Sequence, residues 1–195
     1  TGQAERLMPM IAAAMQEAGL AFSDLDRIAV THGPGTFTGM RIGVAAARAL
    51  ALSLRIPVVT LSSLEVMAEA PALAALKSQG TPFAVAVDAR RGQVYVQHFG
   101  PAPLDSLPAI ASVSDEAVSA ATYAMTVAGS GAPLVVEAAR QAGRDVHGIL
   151  PHLTPVMADA LTLAMERTPV AAPPRPLYLR PPDAKPQEGK SLARL

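Results

Sequence analysis

The run Thr31-His32-Gly33-Pro34-Gly35-Thr36-Phe37-Thr38-Gly39-Met40-Arg41 holds the residue types best suited to grip a ligand. Gly33, Gly35 and Gly39 permit backbone angles closed to other residues, and Pro34 fixes one φ and removes a donor. A short apolar run, Ile28-Ala29-Val30, precedes it and a long Ala/Leu-rich segment follows. The stretch therefore reads as a strand-to-helix turn, which aims N–H groups at a helix start where a phosphate or a partner's carboxylate could dock. Thr36 and Arg41 join the three glycines as candidate ligand contacts. Two readings of the residues stay open. The Lys-Ser/Thr ending of a P-loop is missing, and the glycines do not fit G-x-G-x-x-G. A structural elbow would need the same glycines for shape alone.

Other chemistry-bearing residues are scattered. Asp88 precedes Arg90-Arg91-Gly92 at a strand end, where it resembles a phosphate-binding hairpin; the competing reading is a carboxylate that caps its own turn. His32, His98, His147 and His152 share no metal-ligand spacing. No Ser-His-Asp set or paired carboxylates stand out, so a peptidase has no residues behind it. Arg175, Arg180, Lys185, Lys190 and Arg194 outnumber Asp183 and Glu188 in the tail. That excess suits an acidic partner or a solvated tail.

The elements that must position these residues alternate. Helix 4–18 shows Leu7, Met8, Ile11, Ala14, Met15 and Ala18 at helical spacing and stops at Gly19. Strand 27–31, the glycine turn, helix 38–54, strand 56–61 and helix 63–76 follow, a rhythm that predicts an α/β layer with parallel strands. From Pro82, residues 83–88 and 93–99 read as a β-hairpin. Residues 101–112 read as a Pro-rich connector. A second lobe has strand 124–128, helix 133–142, a short strand near 145–149 and helix 155–166. The tail from Pro169 is expected to run extended over the surface. The division falls near 80, giving lobes 1–80 and 81–195.

Composition excludes several classes. The 195 residues are half hydrophobic, enough to bury a core. Lys plus Arg equals Asp plus Glu at 16 each, so no global field draws nucleic acid. The absence of cysteine rules out disulfides and thiolate catalysis. The apolar run after Met40 is interrupted by Arg48, which argues against a bilayer span, and the chain reads as cytoplasmic.

Helix 38–54 is apolar almost all round, with Arg41 and Arg48 on one stripe. Such a helix must be covered on two sides. Helix 4–18 could cover it; alternatively both helices form an apolar platform for a partner, through Leu7, Met8, Ile11, Met15, Met40, Gly43, Ala47 and Leu50. On that reading Ala47→Glu breaks a pairing while leaving the fold intact.

The blocks GPGTFTGMRIGVAAARALAL, IPVVTLSSLEVMA, AVDARRGQVYVQ and PLYLRPPDAK occur in order along nearly the whole chain. Together they resemble the TsaB (YeaZ) family. The resemblance implies an actin-like ATPase (ribonuclease-H-like) fold of two small lobes, and a part in making threonylcarbamoyladenosine on tRNA. It implies a non-catalytic scaffold that pairs with the catalytic paralogue TsaD, with TsaE joining and TsaC supplying the threonylcarbamoyl-adenylate. No firmly bound cofactor is expected, with ATP or ADP at the TsaD interface, and tRNA is met only through the complex. A homodimer through the bare platform is expected in isolation. The paralogue carries two histidines at i and i+4 for a metal; the matching positions here are Ser63 and Met67, which are poor ligands. The family also begins with strands that would need roughly 25–35 further residues, so the first lobe is expected to lack its N-terminal strands. The alternatives are an independent actin-fold enzyme that uses ATP and a glycoprotease-like peptidase.

Overall fold

The computed structural model describes residues 2–102, 104–123, 125–169 and 172–180. Lys185, Lys190 and Arg194 of the basic tail lie outside the described residues, as do Asp183 and Glu188.

Helix α1, Gln3–Glu17, leads through a short 3-10 turn to strand β1, Ile28–Gly33. Helix α2, Phe37–Leu54, crosses over to β2, Val58–Ser62, and the strands pair in parallel with Ile28 opposite Val58. Arg55 ends α2 in the left-handed region at φ 57. The helix expected over 63–76 is broken: α3 is Ser63–Ala68, a 3-10 turn covers Pro71–Leu73, and α4 is Ala74–Ser78. Pro71 is the reason: it disfavours helical backbone at the residue before it, and Ala70 is extended at φ -52 and ψ 133, so the helix stops and a new turn starts at the proline.

The second sheet has five strands in the order β5-β4-β3-β6-β7. Strands β3, Phe83–Arg90, and β4, Gln93–Phe99, form the expected antiparallel hairpin. Strand β5, Ala109–Ser112, pairs antiparallel with β4, so the expected connector at 101–112 ends in a sheet strand. Helix α5, Val113–Thr122, was not foreseen; Ser112 caps it by accepting from the Asp115 N–H at 3.0 Å. Strands β6, Thr126–Ala128, and β7, His147–Ile149, flank helix α6, Ala132–Gln141, and both run parallel to β3. Helix α7, Met157–Glu166, then returns to pack on β2, β1 and α3.

Phe83-Ala84-Val85-Ala86 is an unbroken apolar run because β3 is covered on both faces. Ala84 and Ala86 face α5 and α6 among Ala117, Ala120, Val135 and Ala139. Phe83 and Val85 face Leu64, Met67 and Leu73 on the other side. The period of two along a strand produces this division. The first sheet has a thinner core of Val59, Leu61, Val66, Ala160 and Ala164.

Candidate functional site

The glycine turn is a braced elbow. Strand β1 ends in an irregular register between Thr31 and Gly33, and the chain turns at Gly33, φ 126. A Cβ there would lie 2.5 Å from Met40 Sδ and 3.2 Å from the Leu177 carbonyl oxygen, so glycine is required by backbone angle and by space. Thr36 caps α2, its Oγ1 accepting from Gly39 N–H at 3.3 Å. A Cβ at Gly39 would come within 2.7 Å of that hydroxyl, whereas one at Gly35 would meet only ordinary contact. The Pro34 carbonyl accepts a hydrogen bond from the Ser63 hydroxyl. The chain's own groups thus occupy the Gly39 N–H and the Pro34 carbonyl, as an elbow requires.

The tail completes this site, over separations of more than 130 residues. Leu177 N–H donates to the His32 carbonyl at 2.8 Å, and His32 Nδ1–H donates to the Arg175 carbonyl at 3.2 Å. Arg41 Nε donates to the Tyr178 hydroxyl at 2.8 Å. The Arg41 guanidinium lies 4.0 Å from the Phe37 ring centroid, and the Phe37 and Tyr178 rings are 5.7 Å apart. Two residues on, Arg180 Nη2 donates to the Ala89 carbonyl at 2.8 Å and to Gln93 Oε1 at 2.7 Å. The tail therefore straps the glycine turn to the β3–β4 hairpin.

Asp88 serves its own turn. Its Oδ1 accepts from Arg90 N–H at 2.7 Å, Oδ2 pairs with Arg90 at 3.3 Å, and its N–H donates to Ser130 Oγ at 3.2 Å. Arg90, Arg91 and Gly92 have φ 64, 56 and 68, three consecutive left-handed residues at the hairpin tip.

The two leading helices form a largely uncovered apolar surface. Helix α1 has no buried residue: Leu7, Ile11 and Met15 are half-buried in one row, while Met8 and Met10 are exposed. Along α2, Met40 and Leu50 are half-buried and Leu52 is 83% exposed. Two proposed contacts need correction. Ala47 is only 5% exposed, and a Cβ on Gly43, one turn earlier, would point at Val30 of β1. Residues i and i+4 share a helix face, so the half-buried Gly43 turns towards β1 and the buried Ala47 is closed to a partner. Ala47→Glu would therefore damage the fold. At the far end of α2, Arg48, Leu52, Val58, Pro173 and Pro174 line an open, mostly apolar cleft of about 440 Å³. Helix α2 has the length and apolarity of a membrane span, yet it carries Arg41 and Arg48 and lies against β1.

Ser63 and Met67 are fully used by the fold: one braces Pro34 and the other is buried beneath β3. Next to them, Glu65 accepts from Ser62 N–H at 2.7 Å and pairs with both terminal nitrogens of Arg167. Sequence reading set His98 aside for want of metal-ligand spacing and missed its partner: Nε2 lies 3.1 Å from both oxygens of Glu116, a carboxylate 2% exposed. The two residues belong to β4 and α5, and no spacing rule relates them. A charged residue on the apolar face of an unrecognised helix was the available signal.

Comparison with known proteins gives a consistent picture. The family model described as TsaD, tRNA N6-adenosine threonylcarbamoyltransferase, matches residues 2–165. The chain is 37% identical over 91 residues to the Escherichia coli (strain K12) tRNA threonylcarbamoyladenosine biosynthesis protein TsaB, covering 47% of this chain and 38% of that protein. An uncharacterized Mycobacterium tuberculosis protein is 36% identical over 185 residues, covering 94% of this chain and 77% of its own length. YeaZ from Pseudomonas aeruginosa superposes with a TM-score of 0.66 at 34% identity, covering 84% of this chain and 76% of that one. A second Pseudomonas aeruginosa structure, titled as similar to peptidase YEAZ, gives a TM-score of 0.68 at 32% identity over 90% of this chain and 83% of that one. The chain spans less than half the length of the first curated relatives it matches. The likeness to these structures shows the actin-like ATPase fold.

Proposed function

This chain belongs to the TsaB (YeaZ) family of tRNA threonylcarbamoyladenosine biosynthesis proteins, and on that premise we propose that it is a non-catalytic scaffold which pairs with TsaD. The observation that carries the reading is the uncovered apolar surface of α1 and α2. Fifteen helical residues without one buried side chain make a poor core element and a good half of an interface. Exposed Met8, Met10 and Leu52 supply the apolar anchors, with the half-buried Leu7, Ile11, Met15 and Leu50 adding apolar area, whereas Met40 is turned to Gly33 and serves the elbow. Ser63 and Met67 support the non-catalytic part, since both are engaged in holding the fold. In this reading TsaE joins the pair, ATP or ADP sits at the shared interface, and the work is done in the cytoplasm. The bare platform pairs two copies of this chain when TsaD is absent.

Co-purification with TsaD tests the pairing. Met8→Glu and Leu52→Glu place a charge on the exposed side of each helix, so the fold survives while the affinity falls by tenfold or more. Unchanged pairing with both variants would remove the platform from the interface. Calorimetry with ATP and magnesium tests the scaffold role separately: tight stoichiometric binding by the lone chain favours an independent nucleotide-using enzyme.

A further inference from the structure

The cleft at the far end of α2 holds a cation that the fold leaves unused. Arg41 and Arg48 lie on one stripe of the helix, and the tail passes both. At Arg41 it brings the Tyr178 hydroxyl, which accepts a hydrogen bond at 2.8 Å. At Arg48 it brings Pro173 and Pro174, whose rings offer a guanidinium nothing to bond. Arg48 is exposed and has no hydrogen bond or ion pair among the described residues.

The rest of the lining is apolar. Ala51, Leu52, Ile56 and Val58 help to wall the cleft of about 440 Å³, and no carboxylate is among its lining residues. Much of the backbone there is already taken. Ile56 N–H donates to the Ala51 carbonyl at 3.2 Å, and the Pro57 carbonyl accepts from Ile28 N–H at 3.0 Å. The prolines of the lining have no N–H to give. A nucleotide or a sugar needs several placed polar partners, whereas this cleft offers chiefly one guanidinium. What fits is an apolar body that carries a carboxylate, which a guanidinium grips as a fork. Two observations favour a peptide segment over a small molecule. Small-molecule sites bury roughly 70–90% of their ligand, and this cleft is open. Leu52, one of its walls, is 83% exposed and belongs to the apolar platform, so a protein seated on the platform reaches the cleft.

We propose that this cleft binds a short segment of a partner protein in which apolar side chains flank a glutamate or aspartate, the carboxylate pairing with Arg48. The inference names what a partner presents at the end of α2 and so rests on the scaffold reading above. Its test is nevertheless made without TsaD.

The experiment is an amide NMR titration of the chain with the end-blocked peptide Leu-Leu-Glu-Leu and with its glutamine counterpart, Leu-Leu-Gln-Leu. The glutamate peptide is expected to shift the Ala49, Ala51 and Leu52 amides, with a Kd of about 0.1–1 mM. The glutamine peptide keeps the apolar body and loses the charge, and binds about fivefold more weakly. In Arg48→Gln the two peptides bind alike, the double-mutant-cycle signature of a direct pair. Ala51→Leu fills the cleft and abolishes the shifts from both. The amide spectrum itself shows that each variant is folded. Absence of a saturable shift up to roughly 5 mM peptide overturns the proposal, as does a glutamate preference that survives Arg48→Gln. Octanoate that binds more tightly than the glutamate peptide overturns it too, making the cleft a small-molecule site. Unchanged TsaD pairing in Met8→Glu and Leu52→Glu strikes the scaffold reading, whereas the peptide titration stands or falls on Arg48.

Discussion

Gly33→Ala is the sharpest test of the elbow. At φ 126 an alanine sits in backbone that L-residues rarely adopt, at a cost of about 1–3 kcal/mol. Its methyl would also stand 3.2 Å from the Leu177 carbonyl oxygen, and giving way there loosens the Leu177 N–H bond to His32. Losing that bond adds about 0.5–1.5 kcal/mol. The narrower alanine unfolded ensemble offsets about 0.4–1 kcal/mol. The expected net cost is therefore ~2–3 kcal/mol, or a fall in Tm of about 5–10 °C for a chain of this size. The 2.5 Å approach to Met40 Sδ matters less, because a thioether at the end of a flexible side chain can swing aside. Urea and thermal unfolding followed by circular dichroism, in parent and Met40→Ala backgrounds, separate the two contacts. The cost should persist with Met40 removed. A penalty that disappears in that background would refute the backbone argument and leave only a sulfur clash. A penalty below about 0.5 kcal/mol in both backgrounds would refute the elbow itself.

Two further outcomes follow from buried and surface charge. His98→Leu strands the 2% exposed Glu116 carboxylate and should cost about 3–5 kcal/mol, while His98→Leu/Glu116→Leu recovers most of it; a double variant no better than the single one would refute the pairing. On the surface of α6, hydrogen bonds from Arg140 and Gln141 hold the Glu137 carboxyl down at about 2 from the ordinary 4.5. A depressed carboxylate contributes stability above its unfolded value that is lost as pH falls through the folded one, here between about 4.5 and 2. NMR titration should find the low midpoint, and Arg140→Ala should return it towards the ordinary value.

Much of the layout was legible because local patterns have local causes. The parallel strands around α2, the hairpin with its Arg-Gly turn, and α6 and α7 all follow periodicity and turn chemistry that neighbours in sequence enforce. Helix α5 was missed because Val113–Thr122 is short and small-residued, with Glu116 on its inner face. Its buried side makes sense only once α6 lies beside it. The break at Pro71 was written in the chain and overlooked beneath a continuous apolar period. Ala47 shows the opposite limit: its residue type suited a close partner, and only the direction of Gly43 towards Val30 revealed that the face was already taken.

By itself the sequence determined the alternation of strands and helices around the glycine turn, the β3–β4 hairpin and the family, since these depend on spacing along the chain. The tertiary structure decided how those parts are used. It turned Ser63 into a brace for Pro34, buried Met67, set His98 on Glu116 and brought Tyr178 and Arg180 across the turn and hairpin. The physical reason is that each of these contacts joins residues on separate elements. The Arg41–Tyr178 bond spans 137 positions, and such a contact exists only after the intervening sheet has brought its ends together.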